Sequence, residues 1–269
     1  MPSRLPGVFF LRNLVARRSL LFQLVRRDFE QRFVGSVAGW LWGIVHPLVL
    51  LISWTFVFSL CFHQTLPPGQ PGTYPLYLFA GMLPWLLFSE VVQRSSTSLL
   101  EHATLITKTV FPAEMVPLSV FLSSLVSHLL ALALMIVAAE IWVRSLSPVL
   151  LVLPVYMLLL GLLAVGIGWI VAALQVYLRD TSQVVTVILT FWFWLTPIFI
   201  FENQFPHRLR ILMYANPLFY VVRAYRQVLL SMEVPAWQNV LLAGAYGLAA
   251  FFLGGLVFRH LKRGFADVL

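Results

Sequence analysis

Charged and titratable side chains stand in or beside long apolar runs of this chain, where such groups often mark an ion or proton route. Glu90 and Arg94 are four residues apart, and Glu140 and Arg144 repeat that spacing. On a helix the spacing places both groups of a pair on one face, so we expect each pair to neutralise itself. His128, alone in its apolar run, is predicted to be a hydrogen-bonded structural residue. A proton relay, and with it a proton-coupled secondary transporter, is the alternative.

Common catalytic motifs are missing from the sequence. It has no Gly-x-x-x-x-Gly-Lys-Ser/Thr phosphate loop, and its only lysines are Lys108 and Lys262. The histidines form no zinc-binding pattern, and Glu202 and Glu233 stand alone, whereas a membrane-embedded glycosyltransferase would need a pair of carboxylates. We therefore expect a chain that is not an enzyme, holds no metal and does not hydrolyse ATP by itself.

The composition predicts an integral membrane protein. Hydrophobic residues make up 60% of the chain and charged residues 10%, against about 25% charged in soluble domains. The net charge is +8, but seven of the eighteen basic residues precede Val34, and Arg259, Lys262 and Arg263 follow the last apolar run. Such clustering sets membrane orientation, so we expect no nucleic acid partner.

Six apolar runs are long enough to cross about 30 Å of hydrocarbon: 40–62, 74–89, 115–139, a stretch within 146–178, 181–201 and 239–258. The sequence therefore predicts an all-α membrane protein with six transmembrane helices. Thirteen basic residues then lie on the side of the termini and five on the other, which makes both termini cytoplasmic. We divide the chain into a cytoplasmic N-terminal segment, 1–37, and a single transmembrane domain, 38–269.

A basic amphipathic helix is predicted within the N-terminal segment. At helical spacing, apolar side chains form one stripe, with most of the charges elsewhere: Leu11, Val15, Phe22, Val25, Phe29 and Phe33. Such a helix lies along a membrane surface and serves either as an orienting anchor or as a docking face for a partner. The residue pattern alone leaves both readings open.

The apolar segment 211–222 is too short to span and is interrupted by Asn216-Pro217. Pieces of this kind are typical of re-entrant or interfacial helices. We predict two short re-entrant helices between spans five and six, at roughly 206–215 and 217–232. A bent seventh span is the alternative, and it would place the C-terminus on the outside, against the charge count.

Aromatic residues make up 14% of the chain and concentrate in two spans. Interfacial belts explain Trp85 and Trp237. The run from Phe191 to Trp194 presents rings all around a helix, and flat rings could line a path for sugars. The residues predicted to line such a channel are Trp40, Trp42, Phe191, Trp192 and Trp194. A lipid-facing belt is the alternative.

Several motifs together resemble the permeases of bacterial polysaccharide ABC exporters. They are Arg27-Asp28-Phe29-Glu30-Gln31-Arg32-Phe33, Gly39-Trp40-Leu41-Trp42, His46-Pro47-Leu48, Phe79-Ala80-Gly81-Met82-Leu83-Pro84-Trp85, Leu105-Ile106 to Phe111-Pro112-Ala113-Glu114, Tyr177-Leu178-Arg179-Asp180 and Asn216-Pro217. The resemblance extends in order over nearly the whole chain, and its texture is closest to O-antigen permeases rather than capsule or teichoic-acid exporters.

The resemblance implies a permease subunit that forms a homodimer, binds two separate nucleotide-binding ATPase subunits and exports lipid-linked polysaccharide across the bacterial inner membrane. The chain would hold no cofactor, because ATP and Mg would be bound by the partner ATPase. A permease for small drugs or lipids is the near alternative.

The resemblance also implies roles for particular residues. The basic helix and the loop after the second span would couple to the ATPase through Arg26, Arg27, Asp28, Glu30, Arg32, Glu101, Lys108, Phe111, Pro112 and Glu114. The short helices after the fifth span would form an outer gate with Asn216, Pro217 and Tyr220. Ile106-Thr107-Lys108 departs from the family, because it carries one basic residue where relatives often carry two. With the ATPase contact placed here, docking becomes the first role of the basic helix and anchoring the second.

Overall fold

Helices account for all the regular structure in the part of the chain that the computed structural model describes, which is residues 18–32, 36, 39–66, 70–108, 111–144, 146–199 and 201–268. The helices long and apolar enough to cross a membrane are Trp42–Cys61, Tyr74–Glu101, Met115–Val143, Pro148–Tyr177 and Trp237–Gly264. We call them the first, second, third, fourth and last spans. The prediction of an all-α, multi-pass membrane protein is confirmed, whereas the structure identifies five candidate spans rather than six.

The basic helix (Arg18–Gln31) precedes the first span and packs against the third span. Its buried residue is Leu24. Phe22, a member of the predicted apolar stripe, is 67% exposed and therefore available to lipid. Leu11, Val15 and Phe33 of that stripe lie outside the described residues.

The second span forms the centre of the protein and the first span lies at its edge. We compare the most apolar stretch of each helix. In the second span 78% of the residues of that stretch are buried, but in the first span only 6% are. The first span changes from α-helix (Trp42–Trp54) to π-helix (Thr55–Cys61). Most of the first span therefore faces lipid or another chain.

The fourth and last spans approach closely because both carry glycine at their crossing point. A Cβ atom added to Gly254 would lie 2.0 Å from the carbonyl oxygen of Gly166. Small residues allow this backbone contact between membrane helices, where dispersion and packing replace the hydrophobic effect. The fourth span of this pair also packs against the second span.

The predicted fifth crossing is shorter than expected. Its helix (Thr181–Leu195), which we call the aromatic helix, has 15 residues and is about 22 Å long at 1.5 Å per residue. It stops two residues before Pro197, because proline has no N–H to donate and disfavours helix in the preceding residue. The prediction of a helix through residue 201 is therefore wrong.

Two short helices follow, at the positions that the sequence predicts. They are Arg210–Ala215 and Pro217–Arg226, and the second continues as a π-helical segment, Gln227–Ser231. We call Pro217–Arg226 the Asn-Pro helix. That the two helices are re-entrant stays a prediction.

Candidate functional site

Four charged side chains form an ion-pair network where the basic helix meets the second span. Arg94 Nη2 lies 2.7 Å from Asp28 Oδ1, and Arg32 Nη1 lies 2.7 Å from Glu90 Oε1. The hydroxyl of Ser124 on the third span donates to Glu90 Oε1 at 3.0 Å and accepts from Arg32 Nη2 at 2.8 Å. The predicted Glu90–Arg94 pair is present, but at 3.8 Å it is the looser contact. The charges are thus balanced mainly between helices.

The two charges of the basic helix are more shielded from solvent than their partners. The side chains of Asp28 and Arg32 are 13% and 16% exposed, and those of Arg94 and Glu90 are 30% and 36% exposed. Burial lowers the pKa of Arg32, and the opposite charge of Glu90 counteracts that shift. Because a shielded charge without its partner is costly, these ion pairs oppose separation of the basic helix from the second span.

The second predicted pair, at the far end of the third span, forms a different contact. Glu140 Oε2 accepts a hydrogen bond from the backbone N–H of Leu146 at 3.0 Å. The helix ends at Val143, and Arg144 adopts a left-handed conformation with φ of 55°. The regular helix on which the i,i+4 pairing depended therefore ends before Arg144.

The residues of the basic helix that were expected to couple to an ATPase fall into two groups, one exposed and one facing the spans. Arg26, Arg27 and Glu30 are exposed, and Arg26 Nε lies 2.8 Å from Glu30 Oε1, which raises the pKa of Arg26. Asp28 and Arg32 point into the protein, towards the charges of the second span. These two side chains join the helix to the spans, and a role in ATPase coupling stays a prediction for all five residues.

The loop after the second span contains the predicted short helix, Ala103–Lys108. Of the residues expected to contact an ATPase, Glu101 and Lys108 are exposed, Phe111 is half-buried, and Pro112 and Glu114 are buried. Glu114 Oε2 accepts from Lys262 Nζ at 2.6 Å, and its backbone carbonyl accepts from Trp169 Nε1 at 2.9 Å. Glu114 therefore fixes the loop to the fourth and last spans. Contact of these five residues with an ATPase stays a prediction.

A groove of about 940 Å³ lies beside the ion-pair network, bounded by the first, second and third spans and the aromatic helix. Its polar lining includes Arg32, Ser89, Glu90, Gln93, Ser124, Ser127, His128, Thr186 and Thr190. Its aromatic lining is Trp42, Trp85 and Phe193. The volume falls in the range of sites that enclose organic ligands, about 300–1,000 Å³.

The aromatic residues expected to line a channel take different positions. Trp42 lines the groove, and its Nε1 donates to Ser36 Oγ at 3.0 Å. Trp192 is half-buried and turns towards the short helices, while Phe191 and Trp194 are 68% and 62% exposed on the outside of the aromatic helix. The side chain of Trp40 lies outside the described residues. A channel-lining role for the other four residues stays a prediction.

His128 is hydrogen-bonded, as predicted, and it also lines the groove. Its Nε2 lies 3.0 Å from the hydroxyl of Tyr225 on the Asn-Pro helix. Both residues are buried. The groove wall is therefore linked to the short helices through the interior of the protein.

The residues expected to form an outer gate make a joint between the aromatic helix and the short helices. Asn216 caps the helix that Pro217 begins, and its Oδ1 accepts from Trp192 Nε1 at 2.8 Å. Its Nδ2 donates to Thr196 Oγ1 at 2.9 Å. The Tyr220 hydroxyl donates to a carbonyl of the preceding short helix at 2.7 Å. A gating role for Asn216, Pro217 and Tyr220 stays a prediction.

Arg226 completes the joint, and nothing in the sequence pattern identified it. Its guanidinium donates to the carbonyls of Tyr77 at 3.2 Å, Pro197 at 2.7 Å and Ile198 at 2.7 Å, and it lies 3.6 Å from the centroid of the Tyr77 ring. Two of these carbonyls belong to the non-helical backbone that follows the aromatic helix. Buried backbone carbonyls outside regular structure need such hydrogen-bond partners.

Two groove residues were also missed. Trp85 was expected in an interfacial belt but is 6% exposed, because it lies on the most buried span. Phe193 belongs to the same aromatic run as the expected residues and alone in that run lines the groove. Trp85 follows Pro84 near the middle of a helix, whereas tryptophans of an interfacial belt lie near helix ends. Its position in the helix, and not its residue type, was the signal that could have identified it as a groove residue.

These features define a class of protein, a multi-pass helical membrane protein with a charged helix joined by ion pairs to a groove between its spans. The groove is mostly apolar and carries polar and aromatic side chains. Within that class, the sequence pattern of the ABC-2 type transporter family matches residues 19–230, and the chain belongs to this family.

Its relatives include O-antigen and polysialic acid transport proteins. The O-antigen export system permease protein RfbA of Myxococcus xanthus is 27% identical over 259 residues, which cover 96% of this chain and 98% of the relative. A protein of the same name from Klebsiella pneumoniae is 28% identical over 261 residues, 96% and 97% of the two chains. The polysialic acid transport protein KpsM of Escherichia coli is 22% identical over 241 residues, 88% and 91%.

Proposed function

We propose that this chain is the permease subunit of an ABC transporter that exports a lipid-linked, O-antigen-like polysaccharide across the bacterial inner membrane. The observation that carries the proposal is the groove between the first span and the aromatic helix. The names of the O-antigen export relatives, which align over nearly their full length, support the choice of cargo.

The exposed lining of the groove is mostly apolar, and the polar and aromatic side chains within it suit a lipid-linked sugar polymer. Hydroxyl and amide side chains such as Ser89, Gln93 and Thr190 can exchange hydrogen bonds with sugar hydroxyls, and the Trp42, Trp85 and Phe193 rings offer apolar faces to sugar C–H groups. The charges of Arg32 and Glu90 neutralise each other, so the groove holds no strong charge that would retain a passing chain.

We propose that two copies enclose the path. Only 6% of the residues in the most apolar stretch of the first span are buried, and Phe191 and Trp194 are exposed on the outer side of the aromatic helix. Both helices border the groove, so a second copy related by a two-fold axis would cover it. In this arrangement both termini are cytoplasmic, and the backbone after Leu195 completes a sixth crossing that Arg226 supports.

ATP-driven movement would enter through the basic helix. Two ATPase subunits, which bind ATP and Mg, would contact the exposed residues Arg26, Arg27 and Glu30 and the exposed ends of the loop helix, Glu101 and Lys108. The ion pairs of Asp28 and Arg32 would pass a tilt of this helix to the groove walls.

Co-purification together with gene deletion tests the proposal. The affinity-tagged chain should bring down the ATPase encoded beside it, and deletion of the gene should leave lipid-linked polymer on the cytoplasmic side of the inner membrane, restored by a plasmid copy. A chain that binds no ATPase, or a deletion strain with normal surface polysaccharide and altered drug or phospholipid transport, would overturn it in favour of a small-molecule permease.

A further inference from the structure

A second cavity, of about 670 Å³, lies at the other end of the second span from the ion-pair network. Residues from separate parts of the chain meet there: Gln70 before the second span, Tyr77 near its start, Glu202 after the aromatic helix, and Gln227 and Glu233 after the Asn-Pro helix. We call it the outer pocket, because the distribution of basic residues places this end of the spans outside.

An irregular backbone shapes one wall of the outer pocket. The Asn-Pro helix changes to π-helix at Gln227 and ends at Met232, whose φ of 56° is left-handed. The backbone N–H of Glu233 then donates to the carbonyl of Gln227 at 3.2 Å, which closes the end of the π-helical segment. π-Helical turns and left-handed non-glycine residues are both over-represented at functional sites.

The charges around the outer pocket are largely committed to contacts within the chain. Arg226 donates to three carbonyls, and Arg223 Nε lies 3.7 Å from Glu202 Oε1. By contrast, Gln227 Oε1 is buried and makes no hydrogen bond with the residues that the structure describes. A buried acceptor without a partner is costly, so a rotation of the Gln227 amide that brings it to a ligand donor in the pocket would be favourable.

The remaining groups match the chemistry of a sugar. Gln70, Gln227 and Ser231 can both donate and accept hydrogen bonds, and Glu233 can accept two from adjacent hydroxyls. This lining has little net charge, which disfavours a phosphate or a metal ion. The size is also sufficient for an organic ligand.

We propose that the outer pocket is a carbohydrate-binding site that holds a sugar residue of the polymer as it leaves the groove. The inference rests on the proposed function and adds to it a second contact for the same cargo. The Asn-Pro helix connects the two cavities. Tyr225 contacts His128 in the groove, and the next residue, Arg226, lines the outer pocket.

Cysteine protection tests the proposal in the assembled transporter in cells. Cys61 is the only native cysteine, so a C61S background carries either S231C, which lies in the outer pocket, or Q238C, an exposed control at the start of the last span. A small membrane-impermeant maleimide is added to cells that make the polymer and to cells that lack its first glycosyltransferase. In both, the partner ATPase is a hydrolysis-deficient variant, which retains the polymer in the transporter.

The expected result is slower labelling of S231C in the polymer-making cells alone. Labelling slows in proportion to the free fraction of sites, so ~90% occupancy gives about a tenfold reduction. Q238C should react equally in both strains. Equal labelling of S231C in a strain whose polymer export depends on this gene would overturn the outer pocket alone, whereas export that does not depend on the gene would overturn the proposed function itself.

Direct binding provides the second measurement. The purified permease–ATPase complex is titrated with the host polymer, freed from its lipid by mild acid. Q227L, which removes the buried amide oxygen, should weaken binding about two- to tenfold, and Q238L should not. Bound ATPase shows that the Q227L complex is assembled. Equal affinity of assembled Q227L and wild-type complexes would contradict a hydrogen bond at this position.

Discussion

Replacing Asp28 by Asn tests how strongly the basic helix is joined to the spans. Asp28 Oδ1 accepts from Arg94 Nη2 at 2.7 Å, and the two side chains are 13% and 30% exposed. Asparagine keeps the shape but loses the charge, and hydrogen bonds to charged groups contribute about 1.5–3 kcal/mol. Since the pair is not fully buried, D28N should lower the free energy of unfolding by about 2 kcal/mol, below the 3–5 kcal/mol cost of breaking a buried pair.

A double-mutant cycle isolates the contact from other effects of each substitution. D28N, R94Q and the double variant are unfolded with denaturant in detergent, and residues in direct contact give coupling energies of about 0.5–3 kcal/mol. The matched control is R26Q, on the same helix. Arg26 and its partner Glu30 are 70% and 58% exposed, so R26Q should leave stability nearly unchanged.

Strict additivity of D28N and R94Q would refute the reasoning, because it would mean that the 2.7 Å contact contributes nothing to holding the helix. A large effect of R26Q would refute it differently, since exposed charges would then dominate. If the cycle shows coupling, D28N should also lower polymer export while the ATPase still co-purifies.

Three further predictions concern other contacts. R226M removes a buried guanidinium that donates to three carbonyls, so it should lower the free energy of unfolding by about 3–5 kcal/mol in the same denaturation assay. R226K should recover part of the loss. Equal stability of R226M and wild type would contradict this. N216A removes a helix cap and two side-chain hydrogen bonds, so it should cost about 2 kcal/mol, and a loss of less than ~0.5 kcal/mol would count against the joint. R27E reverses an exposed charge, so it should leave stability unchanged but reduce ATPase recovery in a pull-down; undiminished recovery would place the docking face elsewhere.

Hydropathy predicted the spans well because it depends only on local composition. The long apolar runs, the charge-poor interior and the proline-broken segment near Asn216 are all visible without tertiary information, and the corresponding helices are present. The end of the aromatic helix is also visible in the sequence, because Pro197 disfavours helix there. The predicted span extended beyond Pro197 because it was based on apolar content alone.

Contacts between distant residues could not be predicted in the same way. Asp28 and Arg94 are 66 positions apart, and His128 and Tyr225 are 97 apart. A single sequence shows only that Glu90 and Arg94 could share a helix face, so it predicted the weaker of the available ion pairs. It also cannot separate lipid-facing from protein-facing positions, which is why Trp85 was assigned to an interfacial belt although it is buried.

Blocking the groove tests the central claim most directly. Thr190 on the aromatic helix and Leu158 on the fourth span are both exposed, but only Thr190 lines the groove. T190W places an indole in the path, whereas L158W adds an indole on the surface of a span that does not border the groove. With both variants assembled with the ATPase, the account predicts that T190W abolishes export of long-chain polymer to the cell surface and that L158W exports as wild type. Undiminished export by assembled T190W would contradict it.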